Sequence, residues 1–301
     1  MRILIADDDP TTLLLLESAL KDWGYEVVSV RDGNAAWDIL RSVDSPPLAL
    51  LDWMMPGLSG IELCRKVRHE SESPFTYLVL LTGKTRTHDV VQGMESGADD
   101  YLSKPFEEQE LKVRLRAGKR IVDLHEALRI HATRDALTGT WNRRMILEIL
   151  GRECARAARE STAVGVIMAD IDHFKRINDT LGHLGGDAAL NALSRRISVS
   201  LRPFDSVGRY GGEEFLLVLP GCDLTATLNA AERIRHVIAD AGVVTPMGII
   251  PVTVSFGAAA GQGRDLEADA LIRSADDALY RAKQGGRNRV EAAIDSEILV
   301  Q

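Results

Sequence analysis

Arg209-Tyr210-Gly211-Gly212-Glu213-Glu214-Phe215 runs into Leu216-Leu217-Val218-Leu219 and is stopped by Pro220. Two glycines between β-prone runs predict the tight turn of a hairpin, since glycine accepts positive φ without a Cβ clash. Bare backbone at the tip also lets a bulky anion approach. Two carboxylates follow at once, and adjacent carboxylates raise each other's pKa unless a cation sits between them. Taken alone, the string also reads as an ordinary surface hairpin with two solvated acids. Its surroundings change that reading. Val164-Gly165-Val166-Ile167-Met168-Ala169 is a buried-strand run ending in Asp170-Ile171-Asp172-His173-Phe174-Lys175. A strand that finishes in acids places carboxylates at a sheet end, where Mg²⁺ and phosphate chemistry is commonly built. Asn178 and Asp179 follow, then Gly182-His183-Leu184-Gly185-Gly186-Asp187, a loop that opens a helix.

With these motifs in this order, the chain from Asp135 to about Val290 resembles a GGDEF domain, the diguanylate cyclase family, in its GGEEF variant. The resemblance implies that Asp170 and Glu213, with the carbonyl of Ile171, hold Mg²⁺ (or Mn²⁺) on the triphosphate of GTP. It makes Glu214 a general base or a second metal ligand. Asn178 and Asp187 map onto positions that hydrogen-bond the guanine edge. A carboxylate there suits guanine's N1–H and N2–H donors and repels adenine's N1 acceptor. Gly211 and Gly212 form the tip beside the nucleotide, and Phe174 and Lys175 also fit the pattern, the lysine as a phosphate contact. Lys283 and Arg287, one helical turn apart near a helix end, map onto further phosphate contacts; without the resemblance they read as a solvated basic helix end. Arg202-Pro203-Phe204-Asp205 is an RxxD sequence five residues before Gly211. At that offset it matches the family's inhibitory site, where cyclic di-GMP binds its own enzyme, and Arg233 falls where a second arginine often completes it.

The predicted order of this half is helix 142–159, strand 163–169, helix 186–201, hairpin 206–219, helix 223–241, strand 249–259, helix 266–284 and strand 288–293. That order predicts a mostly antiparallel sheet with helices packed on one face, a ferredoxin-like or palm-like α+β layout. Such folds also serve polymerases and adenylyl cyclases, so the fold alone does not fix the reaction.

The first half reads differently. Strand-like runs recur at Arg2–Ala6, Glu26–Val30, Leu48–Leu51, Tyr77–Leu81 and Asp100–Leu102, separated by helix-length segments. Five alternations predict an α/β domain, a doubly wound parallel sheet with helices on both faces and its site beyond the carboxyl ends of the strands. Polar residues stand at those ends: Asp7 and Asp8 after the first strand, Asp52 after the third, Thr82 after the fourth and Lys104 after the fifth. Clustered carboxylates call for a divalent cation, and a lysine with a hydroxyl can hold a phosphoryl group. Residues 1 to about 120 resemble a response-regulator receiver domain (flavodoxin-like). The resemblance makes Asp52 the phosphoacceptor, with Asp7, Asp8 and the carbonyl of Met54 around Mg²⁺. It gives Thr82 and Lys104 the phosphoryl group, and Tyr101 the aromatic switch. Asp9, followed by Pro10, reads as a helix cap rather than a third metal ligand.

Between the halves, residues 107–134 contain no proline, and only Gly118 disfavours helix. Ala117, Ile121, Leu124 and Leu128 follow the 4-3-4 spacing of a short coiled-coil seam. The stripe is read as a dimer seam, the alternative being packing on its own domain. Arg134 to Arg143 then matches the linker motif that opens GGDEF domains, with Asn142 starting the next helix. The expected division is 1–120 receiver, 107–134 linker helix and 135–295 cyclase domain.

Composition sets the outer limits. The chain has 301 residues, 45% apolar and 27% charged, with a net charge of −8. This balance argues against a general nucleic-acid binder and gives no hint of a membrane surface. No apolar run approaches the roughly 20 residues that cross a bilayer. The amino end turns acidic too soon for a signal peptide. Cys64, Cys154 and Cys222 are scattered and odd in number, as expected of reduced core residues. The expected setting is the cytoplasm, and the expected partners are GTP, cyclic di-GMP, a sensor histidine kinase and a second copy of the chain. Two rivals remain at this level: a silent cyclic di-GMP effector and a cyclase with a different dinucleotide product.

Overall fold

The structure, a computed structural model, describes residues 1–70, 74–83, 91, 93–245, 248–263 and 266–294. The chain divides into two compact units, Met1–Arg129 and Ile130–Gln301.

In the first unit, β1 (Arg2–Ala6), β2 (Glu26–Val30), β3 (Leu48–Asp52), β4 (Tyr77–Thr82) and β5 (Asp100–Ser103) form one sheet in the order β2-β1-β3-β4-β5. Every pairing is parallel. Because side chains alternate along a strand, the sheet carries two cores. Ile3, Ile5, Leu48, Leu50, Val79 and Leu81 pack with α1 (Pro10–Asp22) and α4 (Glu108–Thr133). Leu4, Ala6, Ala49, Leu51, Leu78 and Leu80 pack with α2 (Gly33–Leu40) and α3 (Gly60–Glu70). Burial on both faces explains why the central strands read as continuous apolar runs. Asp9 caps α1 as expected, accepting from the amides of Thr11 and Thr12. Part of the segment expected to be helical between β4 and β5, residues 84–90 and 92, lies outside the described residues.

Helix α4 presents two separate stripes. Leu111, Leu115, Gly118 and Val122 are buried, and the stripe read as a seam stays outside, with Leu124 and Leu128 63% and 66% exposed. Gly118 is there for proximity: a Cβ would stand 2.5 Å from Cδ1 of Tyr77. Farther along, the His125 ring stacks on Phe75, centroids 3.9 Å apart and ring planes within 8° of parallel.

In the second unit, the main sheet has the order β12-β11-β6-β8-β7. Its strands are β6 (Ala163–Ile171), β7 (Ser206–Arg209), β8 (Glu214–Pro220), β11 (Val254–Gln262) and β12 (Val290–Ala292). Pairings are antiparallel except β11 with β12. The helices do not share one face, which corrects the sequence expectation. Ile167, Ala169, Phe215 and Phe256 pack with α6 (Phe174–Ser200) and α7 (Leu224–Ala239). Val164, Val166, Met168 and Leu216 pack with α5 (Arg143–Glu160) and α8 (Ala268–Gln284). The near-continuous burial of β6 required two covered faces.

Two boundaries also differ. The expected strand 249–259 is two strands: β10 (Gly248–Ile250) pairs with β9 (Val243–Thr245) in a separate hairpin, and β11 starts at Val254. Pro251, which has no N–H to give a ladder, stands between them. The expected loop before residue 186 lies within a long helical run, α6, broken only at Gly182 (φ 68°, ψ 177°). Gly185 and Gly186 are helical and buried, so packing overrides their weak helix propensity. The three cysteines are free and buried. Among the described residues, no helix is long and apolar enough to cross a membrane.

Candidate functional sites

The order in which strands are added to the first unit's sheet reverses between β1 and β3, and the acids collect at that switch point. Asp7 is fully buried, Asp52 nearly so, and Asp8 is exposed. One ligand atom from each lies within 4.8 Å of the others. Lys104 spans the pocket, its Nζ 2.5 Å from both Asp7 Oδ2 and Asp52 Oδ1. Burial raises the pKa of Asp52 and Asp7 pushes it further, against the pull of Lys104. Burial alone would lower Lys104, but its bonds to Asp52 and Asp7 outweigh that and raise it. An all-oxygen set around a buried acid suits a hard dication such as Mg²⁺. Thr82 is buried at the end of β4, where its carbonyl accepts from the Lys104 amide. Met54 donates its amide to Asp52 Oδ2 at 3.0 Å. Tyr101 lies on β5, half-buried, with the Arg114 guanidinium 5.7 Å from its ring centre.

In the second unit, β7 ends at Arg209 and β8 begins at Glu214, so the hairpin tip is Tyr210–Glu213. Neither Gly211 nor Gly212 adopts positive φ, which corrects the expected reason for the glycine pair. A Cβ on Gly211 would overlap Oε2 of Glu214, so that carboxylate would have to turn away; Gly212 faces open space. Arg209 holds the tip, donating through Nε and Nη2 to the Gly212 carbonyl at 3.1 and 2.7 Å. The same guanidinium pairs with Asp135 at 3.3 Å. Asp135 in turn accepts from the amide and hydroxyl of Thr138, so the segment entering the domain is tied to the tip.

Asp170, one residue before the end of β6, lies directly opposite Glu214 in register. It is buried, and Lys283 Nζ from the last turn of α8 pairs with it at 2.8 Å. Burial raises the pKa of Asp170, opposed by Lys283 and by the Arg287 charge. Burial and then Asp170 raise Glu213, and the same two causes raise Glu214. Among the described residues these three acids do not converge as tightly as the first unit's acids. They still form a half-buried set of mutually repelling carboxylates, a donor set that a divalent cation would relieve. The amide of Ile171 donates to the Glu213 carbonyl, fixing the two segments together.

Phe174 is buried and Asn178 half-buried, both beside Gly186, where a Cβ would overlap Asn178 Oδ1 and stand 3.1 Å from Phe174 Cζ. Asp187 follows at once, half-buried, while Lys175 is exposed. Arg287 is not on the helix with Lys283, as expected, but in a left-handed turn beyond it (φ 64°). The residues expected at an inhibitory site meet at one corner. Asp205 accepts from the Arg202 amide at 2.9 Å, and Arg233 from α7 donates to Ser200 at the end of α6. Cys222, raised chiefly by burial, feels the charges of Arg202, Asp205 and Arg233 alike.

Several positioning residues were not recognised from the sequence as such. Asp172 and Ser255, both buried, form a cluster with the half-buried Thr253 and Asn288, and each partner lies more than eighty residues from Asp172 along the chain. Arg209 lay inside the glycine motif, but nothing local marked Asp135 as its partner.

A parallel sheet with three acids at its switch point is the receiver architecture, and the five-stranded sheet with its glycine tip is that of a nucleotide cyclase domain. Residues 3–116 match the response regulator receiver domain and residues 132–289 match "Diguanylate cyclase, GGDEF domain". The chain belongs to the GGDEF diguanylate cyclase family and carries a receiver domain ahead of that module. It is 30% identical over 299 residues to the response regulator PleD of Caulobacter vibrioides, covering 96% of this chain and 65% of PleD. It is 43% identical over 158 residues to the diguanylate cyclase DosC of Escherichia coli, 52% of this chain and 34% of DosC. The chain thus spans less than two thirds of the length of these relatives. Among solved structures, the coiled coil and GGDEF domain of DgcB from Caulobacter crescentus, in complex with c-di-GMP, superposes with a TM-score of 0.57 at 32% identity, covering 62% of this chain and 98% of that one.

Proposed function

We propose that the chain is a phosphorylation-regulated diguanylate cyclase that condenses two GTP into cyclic di-GMP and two pyrophosphates. The observation that carries this reading is Asp170 facing Glu214 across adjacent strands, with Glu213 and Lys283 beside them at a glycine tip. Asp170 and Glu213 are the carboxylates that would hold Mg²⁺ or Mn²⁺, which when bound supplies charge neutralisation at the triphosphate. The remaining work falls to the protein. Glu214, its pKa raised by burial and by Asp170, would take the proton of the attacking 3′-hydroxyl or serve as a second metal ligand. The new bond joins that oxygen to the α-phosphorus of the second GTP, and the bond from that phosphorus to the leaving pyrophosphate breaks. The same exchange in the other direction closes the ring. Lys283, Arg287 and Lys175 contact phosphates, and Asn178 and Asp187 read the guanine edge.

One domain holds one GTP, so the reaction takes two copies. The exposed Leu124 and Leu128 stripe of α4 is the seam proposed to join them. Asp52 accepts a phosphoryl group from a sensor histidine kinase, with Thr82 and Lys104 following it inward and Tyr101 changing rotamer. A cytoplasmic location belongs to the same reading, since GTP is held there. Chromatography of the products formed from GTP with Mg²⁺ tests the reaction. Cyclic di-GMP is the expected product. Binding of cyclic di-GMP without turnover, or an adenine-containing product, would replace the proposal with one of its two rivals.

Regulation gives two further expectations. Beryllofluoride, which mimics a phosphoryl group on Asp52, is expected to raise the cyclase rate, and Asp52→Asn to abolish that response. Light scattering on the same samples separates assembly, where mass rises with activity, from reorientation within an existing dimer. If neither rate nor mass responds, the receiver is only a scaffold. Arg202→Ala is expected to weaken product inhibition roughly tenfold, the worth of a charge-assisted contact, without lowering the initial rate. Unchanged inhibition would make the RxxD sequence a coincidence.

A further inference from the structure

Asp172 lies two residues beyond Asp170, just past the end of β6, and is 5% exposed. Its carboxylate accepts the Ser255 hydroxyl at 2.6 Å, the Thr253 hydroxyl at 2.7 Å and the Asn288 amide at 3.0 Å. Its own amide donates to the Thr253 carbonyl at 2.9 Å. A buried carboxylate with this many directed donors is held in one place and holds its donors in turn.

What it holds is unusual. Arg287 and Asn288 are consecutive non-glycine residues at positive φ, 64° and 45°. Asparagine tolerates that region, whereas arginine carries a real penalty, so the turn persists only because its surroundings over-determine it. The surroundings are visible. The Arg287 amide donates to Ala282, the Asn288 amide to Asp172, and Arg235 donates to Asn288 Oδ1 at 3.0 Å. The Arg287 side chain itself is exposed, yet its charge is felt by Asp170. The turn thus carries an exposed cation whose charge reaches Asp170, while its other side chain, Asn288, is half-buried and held by Arg235.

We propose that Asp172 is a positioning residue for triphosphate binding: it locks the left-handed Arg287–Asn288 turn and so fixes the Arg287 guanidinium relative to Asp170. This inference rests on the reading of Arg287 as a phosphate contact. A single short segment, Asp170 to Asp172, then sets both the carboxylate and the cation of the site. A displaced cation weakens ground-state and transition-state binding alike, so the effect belongs in the half-saturating GTP concentration rather than in the limiting rate.

The test uses the full chain and initial rates of pyrophosphate release against GTP for Asp172→Ala, Asp172→Asn, Arg287→Ala and the Asp172→Ala/Arg287→Ala double variant. Asp172→Ala and Arg287→Ala are each expected to raise half-saturation about tenfold with the limiting rate little changed. The double variant is expected to match Arg287→Ala alone, because the clamp has nothing left to place. Asp172→Asn, which keeps an acceptor oxygen, is expected to recover part of the loss. It carries the same comparison, alone and with Arg287→Ala, if the alanine variant does not fold. A lower limiting rate with unchanged half-saturation, or effects that multiply in the double variant, would show that Asp172 merely pins the fold. Arg287→Ala with unchanged half-saturation would instead sink the phosphate reading, and the inference with it.

Discussion

Glu213→Gln is expected to lower cyclic di-GMP formation by about a thousandfold, roughly 4 kcal/mol of transition-state stabilisation. The substitution is close to isosteric and removes only the charge. Glu213 sits at the tip between β7 and β8, where burial and then Asp170 raise its pKa. Three carboxylates crowd this end of the sheet, and Asp170 already has Lys283 at 2.8 Å. A metal shared by Asp170 and Glu213 would need both negative charges. The sign of the stability change separates this from misfolding. A glutamate whose pKa is raised in the folded state ionises more easily in the unfolded chain, so the fold loses stability as pH rises through the normal glutamate range. In metal-free buffer at neutral pH, Glu213→Gln is therefore expected to leave the Tm unchanged or raise it. Normal turnover in the variant would show that the site is misplaced.

Gly186→Ala is expected to raise half-saturating GTP ten- to a hundredfold. An added Cβ would overlap Asn178 Oδ1, and the nearest atom outside Asn178, Phe174 Cζ, stands at 3.1 Å. The amide of Asn178 is the end of a side chain and can turn aside, so the helix is expected to survive and the guanine contact proposed for Asn178 to be lost. Local propensity pushes the other way, since alanine favours a helix interior over glycine by up to about 1 kcal/mol. The expected signature is thus weak binding in a fold that melts no lower than the parent by more than a few degrees. Calorimetry with a non-hydrolysable GTP analogue and a thermal melt read the two quantities separately. Unaltered affinity would detach Asn178 from the nucleotide.

How much of this was legible beforehand depended on distance along the chain. Caps were readable because they are local: Asp9 bonds to Thr11 and Thr12, and Asn142 to Met145. The acids at strand ends were readable because a continuous apolar run that stops at a carboxylate marks where a buried strand ends. Gly182 was visible, but its neighbours were misjudged, because helix propensity carries no information about the packing that keeps Gly185 and Gly186 helical. The glycine tip was recognised for the wrong reason. A backbone angle was expected where the structure shows a carboxylate pressed against Gly211. Asp172 shows the limit most plainly, since its partners Thr253, Ser255 and Asn288 lie 81, 83 and 116 residues away. Contacts of that range arise only once β6 and β11 have paired.

The absent side chain at position 118 also sets an angle. Successive residues of a helix are offset by about 100°, so the buried stripe through Gly118 and Val122 and the exposed stripe through Ile121 and Leu124 stand roughly a third of a turn apart. With Tyr77 seated against Gly118, that offset fixes the azimuth of the outer stripe about the helix axis. Like the lobe of a camshaft, its heading is set by where the shaft is keyed. Inserting one residue between Val122 and Leu124 would swing everything downstream by that same 100°, whereas inserting seven would bring it back to within about 20°.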